Sequence, residues 1–446
     1  MHSTRRLLDP HRPALLVALS VFMAGAMAAS CSRSEDAGER DASDAGVDSS
    51  NAPDAADADA TAPRDAGALD GGPLPVVCAS QPCATSLVTT LGQSEDDRSE
   101  GFCVLLDEGS VACWGANGAG QLGRGEDGAL LDSANAAKVV GLSDVTSLDH
   151  TCAVDKSGGV RCWGTGPFRW SDAGATVTTE TTPVKLDLPN ATKVGLGYRT
   201  ACAAVSDGVL CWGDNANGQL GPLTEAFTGE PQRMSLPSGA SVRALDVGSA
   251  TFVLREDGSL VTWGGNPGIG RVSPSFPDPY PQLVVLEGIA ATDLAYDNAC
   301  ATAHGIGYCW GARVNTNKGT VVDRALPEPV VAPEPIVQIA TTRTFVTQSG
   351  VLQPYRWCGV ADSGNVYCWG FNESGQAGDG TQDYVFHAVK VDGLPDPAAQ
   401  VKTTPSTTCA LLTSGKVYCW GSNYNGQLGN GQSRGKTLVP TEVVLP

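Results

Sequence analysis

The dipeptide Trp-Gly occurs seven times, at 114, 163, 212, 263, 310, 369 and 420, with successive spacings of 49, 49, 51, 47, 59 and 51 residues. A period of this length is the mark of a repeat array, in which each unit buries its apolar face only against its neighbours. Around each Trp the context recurs: "GFCVLLDEGSVACWGANGAGQLGRG", "TACAAVSDGVLCWGDNANGQLG" and "TTCALLTSGKVYCWGSNYNGQLGNG" are the clearest copies. Two short β-prone runs flank a Gly-bearing turn, which reads as a hairpin. A further run lies upstream ("VTSL", "ATKVGLG", "IVQIA") and another downstream ("PVKL", "PTEVV"). Each repeat therefore holds about four strands, the content of one propeller blade.

The run W-G-x-N-x-x-G-Q-L-G-x-G resembles the motif of the regulator of chromosome condensation repeat family. It is close at Trp114–Gly125, Trp369–Gly380 and Trp420–Gly431, good through Trp212–Gly221, and degenerate after Trp163, Trp263 and Trp310. The resemblance covers about 370 residues and implies an all-β, seven-bladed β-propeller of four-stranded blades over 76–446. It says little about activity, since one fold hosts many. The exchange-factor and chromatin roles of the family's namesake are not carried over to an acidic, exported chain.

The cysteines agree with the repeat. Twelve form local pairs: Cys103 with Cys113, Cys152 with Cys162, Cys202 with Cys211, Cys300 with Cys309, Cys358 with Cys368, and Cys409 with Cys419. Cys78 and Cys83 stand together before the first repeat. The fourth repeat lacks both members, with Phe252 and Thr262 in their places. Loss of both together is what bonded pairs predict. Facing Cys103 to Cys113 centres the hairpin on Glu108 and leaves the loop Asp107-Glu108-Gly109, whose third position favours the left-handed backbone of glycine. The same register puts Gly158, Gly258, Gly364 and Gly415 in that slot. Two repeats with spacing nine imply a tighter turn, at Ser206-Asp207-Gly208 and His304-Gly305. Seven structural disulfides are expected, and an oxidising compartment with them.

Residues 1–30 read as an export signal: Arg5, Arg6 and Arg12 precede an apolar run that ends "GAMAASC". The placement of Cys31 resembles the lipobox of bacterial lipoproteins, which implies a lipidated Cys31 at the mature terminus. Cleavage after Ala28 and plain secretion is the other outcome. Residues 31–75 form a tether, since "SRSEDAGERDASDAGVDSSNAPDAADADATAPRDAGALDGGPLP" carries eleven Asp/Glu, three Arg and no aromatic. Such a stretch cannot bury enough apolar surface to order itself, and as a flexible chain it reaches roughly 35–40 Å.

Net charge is −19, which sets the chain against phosphate backbones and excludes nucleic acid as a partner. The membrane is met through the lipid alone, and a monomer is expected. No cofactor is implied. Metal is not expected either: no C-x-x-C occurs, the mature histidines His150, His304 and His387 fall in separate repeats, and the Asn/Gln loops lack clustered carboxylates for calcium. No nucleophile arrangement is visible.

Three irregular segments point to binding. Residues 165–183 and 271–281 interrupt third-to-fourth strand connections, and 341–357 expands a first-to-second connection. In an up-and-down sheet these turns share one face. Phe168, Arg169, Trp170, Phe276, Tyr280 and Tyr355 are the candidate interface anchors there, unless they fold down on their own loops. The expectation is a cell-envelope recognition module for an unidentified protein or glycan. The other class is an envelope enzyme, a polysaccharide lyase or hydrolase with carboxylates in the central channel.

Overall fold

A computed structural model describes residues 72–93, 99–125, 130–171, 174–222, 230–315, 320–343, 345–346, 352–353 and 356–446. Cys31 and Tyr355 lie outside the described residues, as do the segment expected to be an export signal and most of the expected tether. Seven four-stranded antiparallel sheets follow one another along the chain, and one small two-stranded sheet, Phe345–Val346 with Leu352–Gln353, interrupts the sixth. We name the strands of each blade A to D in chain order. Blade 1 is Ala84–Thr89, Gly101–Leu106, Val111–Gly115 and Ser133–Lys138; blade 7 is Ala398–Thr403, Thr407–Leu412, Val417–Ser422 and Lys436–Glu442. The fold is an all-β seven-bladed propeller, and the A strands adjoin one another around its axis.

The B–C hairpins keep the register the cysteines demand. Cys103 is directly opposed to Cys113, Cys152 to Cys162, and Cys202 to Cys211. Cys300 is likewise opposed to Cys309, Cys358 to Cys368, and Cys409 to Cys419. All six pairs are bonded, with Cα atoms 4.1 Å apart. Cys113, Cys162, Cys211, Cys309, Cys368 and Cys419 each stand one residue before the blade's tryptophan and are buried, so these bridges lie inside the blade cores. Cys78 and Cys83 are also bonded; there Cys83 is buried and Cys78 exposed.

Phe252 faces Thr262 in blade 4, where Phe252 stacks on Trp310 of blade 5. The turn glycines meet two demands at once. Gly109 has φ 87°, and a Cβ there would lie 3.0 Å from the backbone of Asp144, where the next blade begins. Its carbonyl accepts from Val145 N of that blade, as the Gly158 carbonyl accepts from Ala191 N. The spacing-nine hairpins close with two residues, Ser206-Asp207 and His304-Gly305.

Each blade-to-blade seam is fastened by its tryptophan. Trp114, Trp163, Trp212, Trp263, Trp310 and Trp420 are almost wholly buried, and each indole N–H donates at 2.7–2.9 Å to a carbonyl of the preceding blade. The acceptor is the Gln121, Gln219, Gln376 or Gln427 carbonyl wherever the repeat is intact. Within these loops Asn117 Oδ1 accepts from Leu122 N and Gln121 Oε1 from Ala119 N, so the Asn and Gln side chains hold the turn. Trp369 is the exception among the described residues, with no acceptor for its indole, because blade 5 replaces that loop with a long hairpin, Ile306–Asn315 and Thr320–Pro329.

The ring closes without exchanging a strand. Leu87 N of blade 1 donates to Gln400 Oε1 of blade 7, Ala84 N donates to the Gly415 carbonyl, and Trp114 bonds Gln427. One apolar core therefore spans the two ends of the chain, Leu87, Phe102 and Trp114 packing on Leu411, Leu428 and Val443.

Candidate functional site

Because every blade is an antiparallel meander, A–B and C–D connections share one end of the ring and B–C turns the other. The chain enters at the B–C end: Val77 N donates to the Thr413 carbonyl, and Leu74 lies against Gly364 and Pro397. The A–B end therefore faces away from the entering chain.

The candidate anchors divide into two groups. Phe168 is only 4% exposed and belongs to the core between blades 2 and 3, so its expected place at an interface is corrected. The segment 165–183 is no loose loop; it is the top of a long hairpin, Val160–Ser171 with Gly174–Lys185. Blade 2 lacks the Asn-Gln loop, and "PFRW" replaces it. The Pro167 carbonyl accepts from Trp212, and Phe168 fills the position that Leu122 and Leu220 fill in other blades. Trp170 packs edge-to-face on Trp212, with centroids 6.0 Å apart, and is half-buried, so it too serves the seam. Arg169 reaches solvent and pairs with Glu180 at 2.8 Å. Phe276 and Tyr280 remain at the surface, 80% and 52% exposed, on the C–D side of blade 4. There the buried Arg271–Asp278 pair, at 2.5 Å, fixes the loop by donating from Arg271 to the Thr262 and Tyr280 carbonyls.

An axial pocket of about 110 Å³ opens among the A–B turns. Its floor takes Val88, Asp149, Asp246, Asp293 and Lys402 from one register position of the A strands, at which blades 3 and 6 carry Gly195 and Ala340. Several of these groups fasten neighbouring blades. Asp149 Oδ2 accepts from Leu196 N, Asp293 Oδ2 accepts from Thr341 N, and Asp246 Oδ2 accepts from Thr292 Oγ1, at 2.8, 2.8 and 2.6 Å. Lys402 Nζ donates to Asp293 Oδ1 at 2.5 Å. Burial pushes the Asp246 carboxyl up to about 6, against the Thr292 hydrogen bond and the Lys402 charge. Above the floor Tyr198 and Tyr296 meet edge-to-face, with centroids 6.4 Å apart. His150, with φ 46°, sits beside Thr89, its Nδ1 2.8 Å from the Thr89 carbonyl.

Sequence reasoning allowed for carboxylates in a central channel but named none of these residues, although a signal was present. Stacking "SLDH", "ALDV", "ATDL" and "QVKT" at the A-strand register brings the four charged residues into one column. Among the described residues no group of three or more His, Cys, Asp or Glu is arranged to hold a metal. Nor is any described helix long and apolar enough to cross a membrane.

The model of the regulator of chromosome condensation (RCC1) repeat matches residues 191–219, 399–427 and 414–446. The chain is 28% identical over 357 residues to the ultraviolet-B receptor UVR8 of Arabidopsis thaliana, covering 74% of this chain and 77% of the receptor. It is 27% identical over 341 residues to the E3 ubiquitin-protein ligase HERC2 of Homo sapiens, 72% of this chain but 7% of that ligase. Among solved structures, Prp20p of Saccharomyces cerevisiae superposes with a TM-score of 0.61 at 18% identity, covering 76% of this chain and 87% of that one. Human WBSCR16 gives 0.59 at 17% identity, covering 76% and 95%. These two likenesses concern the fold. The chain is thus a seven-bladed β-propeller that carries regulator of chromosome condensation repeats at residues 191–219 and 399–446.

Proposed function

We propose that this propeller is a binding module of the cell envelope, held by a lipid on Cys31 and the acidic tether, and that its A–B end receives a protein or glycan. The observation that carries the reading is the coincidence of the axial pocket with the exposed Phe276 and Tyr280 at the end opposite the chain's entry. Binding also suits its relatives: UVR8 is named a receptor, and Prp20p is described by its binding to Gsp1p and histones. Seven disulfides suit an oxidising compartment. The module acts as a monomer.

The test is capture from envelope extract by the immobilised mature protein. Phe276→Ala with Tyr280→Ala should weaken capture roughly fivefold, the loss of about 1 kcal/mol expected for exposed anchors. Lys156→Ala with Lys416→Ala, on the B–C turns, should leave it unchanged. Equal effects from both ends would overturn the reading. Cys31→Ser should move the protein from the membrane fraction to the soluble one.

A second reading keeps the enzyme class alive on one observation, the raised carboxyl of Asp246 among other carboxylates in a pocket. A general acid needs such an elevated pKa. Release of reducing or unsaturated ends from envelope polysaccharide, abolished in Asp246→Asn, would favour it over binding alone.

A further inference from the structure

The pocket floor is better supplied with acceptors than the protein uses. Asp149 and Asp246 each spend Oδ2 on a neighbouring blade, and neither Oδ1 has a protein donor among the described residues. Blade 3, which lies between them, presents Gly195 at the same register, so no side chain intervenes. The two carboxylates feel each other as like charges. Four carboxylates in all line the pocket, Glu100 being the other beside Asp293, against Lys402, Arg343 and the imidazole of His150. Lys402 is already committed to Asp293.

A second observation is independent of charge. Thr90 stands in the pocket wall, is 7% exposed, and its hydroxyl has no hydrogen-bond partner among the described residues. A buried hydroxyl left without a partner costs about 1–3 kcal/mol. At the rim Tyr198 and Tyr296 offer aromatic rings to whatever enters. Unsatisfied acceptors below, excess negative charge and aromatic rings above are the complement of one chemistry, an organic cation with N–H donors.

We propose that the axial pocket binds a guanidinium or primary ammonium group, held by Asp149 and Asp246 and covered by Tyr198 and Tyr296. This rests on the A–B end being the ligand face, and it names what that face selects. The cation is supplied by a basic side chain of a partner or by a free small amine. The chain's net charge of −19 steers either toward the protein.

Titration calorimetry of the mature protein separates the sources. The probes are argininamide, the tripeptide Gly-Arg-Gly and its neutral isostere Gly-citrulline-Gly. Argininamide and Gly-Arg-Gly should bind, and the citrulline peptide should bind at least roughly tenfold more weakly. A tighter tripeptide marks a partner's side chain as the natural occupant; equal affinity marks a free amine. Asp246→Asn should weaken both cationic probes by roughly tenfold, and Tyr296→Ala by about fivefold. Tyr198→Ala serves as a second variant that leaves the floor intact, and a single cooperative melt at a temperature no lower than the parent's certifies each fold. Equal binding of the arginine and citrulline peptides, binding unaffected by these variants, or no binding at all would overturn the proposal. If partner capture still distinguishes the two ends while no cation binds, this assignment fails and the ligand-face reading stands.

Discussion

Thr404 of blade 7 donates its hydroxyl to the Glu100 carboxylate of blade 1 at 2.6 Å, across 304 residues of sequence. Ser406 N and Thr407 Oγ1 donate to the same carboxylate at 2.9 and 2.8 Å. On the other side Arg356 of blade 6, 2% exposed, donates from Nη2 to the Thr404 carbonyl at 2.7 Å. Burial pulls that guanidinium down to about 9, and Glu100 opposes the shift. The A–B turn of blade 7 is therefore clamped between a buried anion and a buried cation, at the seam where the chain's ends meet.

Removing the cation should open that seam. Arg356→Met leaves the Glu100 charge uncompensated and frees buried carbonyls, at a cost of about 3–5 kcal/mol. Denaturant unfolding would register the loss. A change below about 1 kcal/mol would mean that Glu100 is satisfied by its three donors alone.

The indole hydrogen bonds give a graded comparison. Trp163→Phe keeps most of the buried ring but strands the Gln121 carbonyl, and should cost about 1–3 kcal/mol. Trp369→Phe has no such bond to lose and should cost less. Paired melting curves check this, and equal losses would show ring volume, not the N–H, to be what the seam needs.

Asp246 gives stability a definite pH dependence. Its folded pKa of about 6 lies above the ordinary 3.8, so between those values the folded state holds this proton more tightly than the unfolded chain. Stability from this group therefore falls as pH rises through the window, and the full penalty stands above it. Asp246→Asn keeps an acceptor for Thr292 and sheds the buried charge. It should stabilise by about 1–2 kcal/mol near neutral pH, with the gain shrinking toward pH 4. A gain that is flat with pH would show that Asp246 does not titrate in this range.

Trp170→Ala should lower the melting temperature without touching partner capture, because the ring packs on Trp212. Truncating a half-buried aromatic of this kind costs about 1–3 kcal/mol. Loss of capture at unchanged stability would return Trp170 to the interface.

The blade count, the strand content and the hairpin register were legible because they are written locally, in Trp-Gly, in paired cysteines and in turn glycines that recur every 50 residues or so. The pocket was hard to read for the opposite reason. It takes one polar residue from each of several A strands, Asp149 to Lys402, and no short window contains two of them at the floor except where blades abut in space. Phe168 and Trp170 misled because an aromatic in a broken repeat looks like an insertion. In three dimensions they rebuild the missing loop: Pro167 supplies the carbonyl, and Phe168 supplies the bulk of the absent Leu. The blade 5 hairpin was masked because the long interval of 59 residues from Trp310 to Trp369 also contains the expanded segment 341–357, which accounts for the excess by itself.

All seven disulfides, from Cys78 with Cys83 to Cys409 with Cys419, join cysteines no more than ten residues apart. In the export proposed above, each pair can thus oxidise as its own segment emerges, before any later cysteine is available to mispair. No disulfide then crosses from one blade to the next. Assembly can be proofread by reversible packing, each blade docking on its predecessor until the seventh meets the first, while the six bridged hairpins survive as locked units even when the circle comes apart.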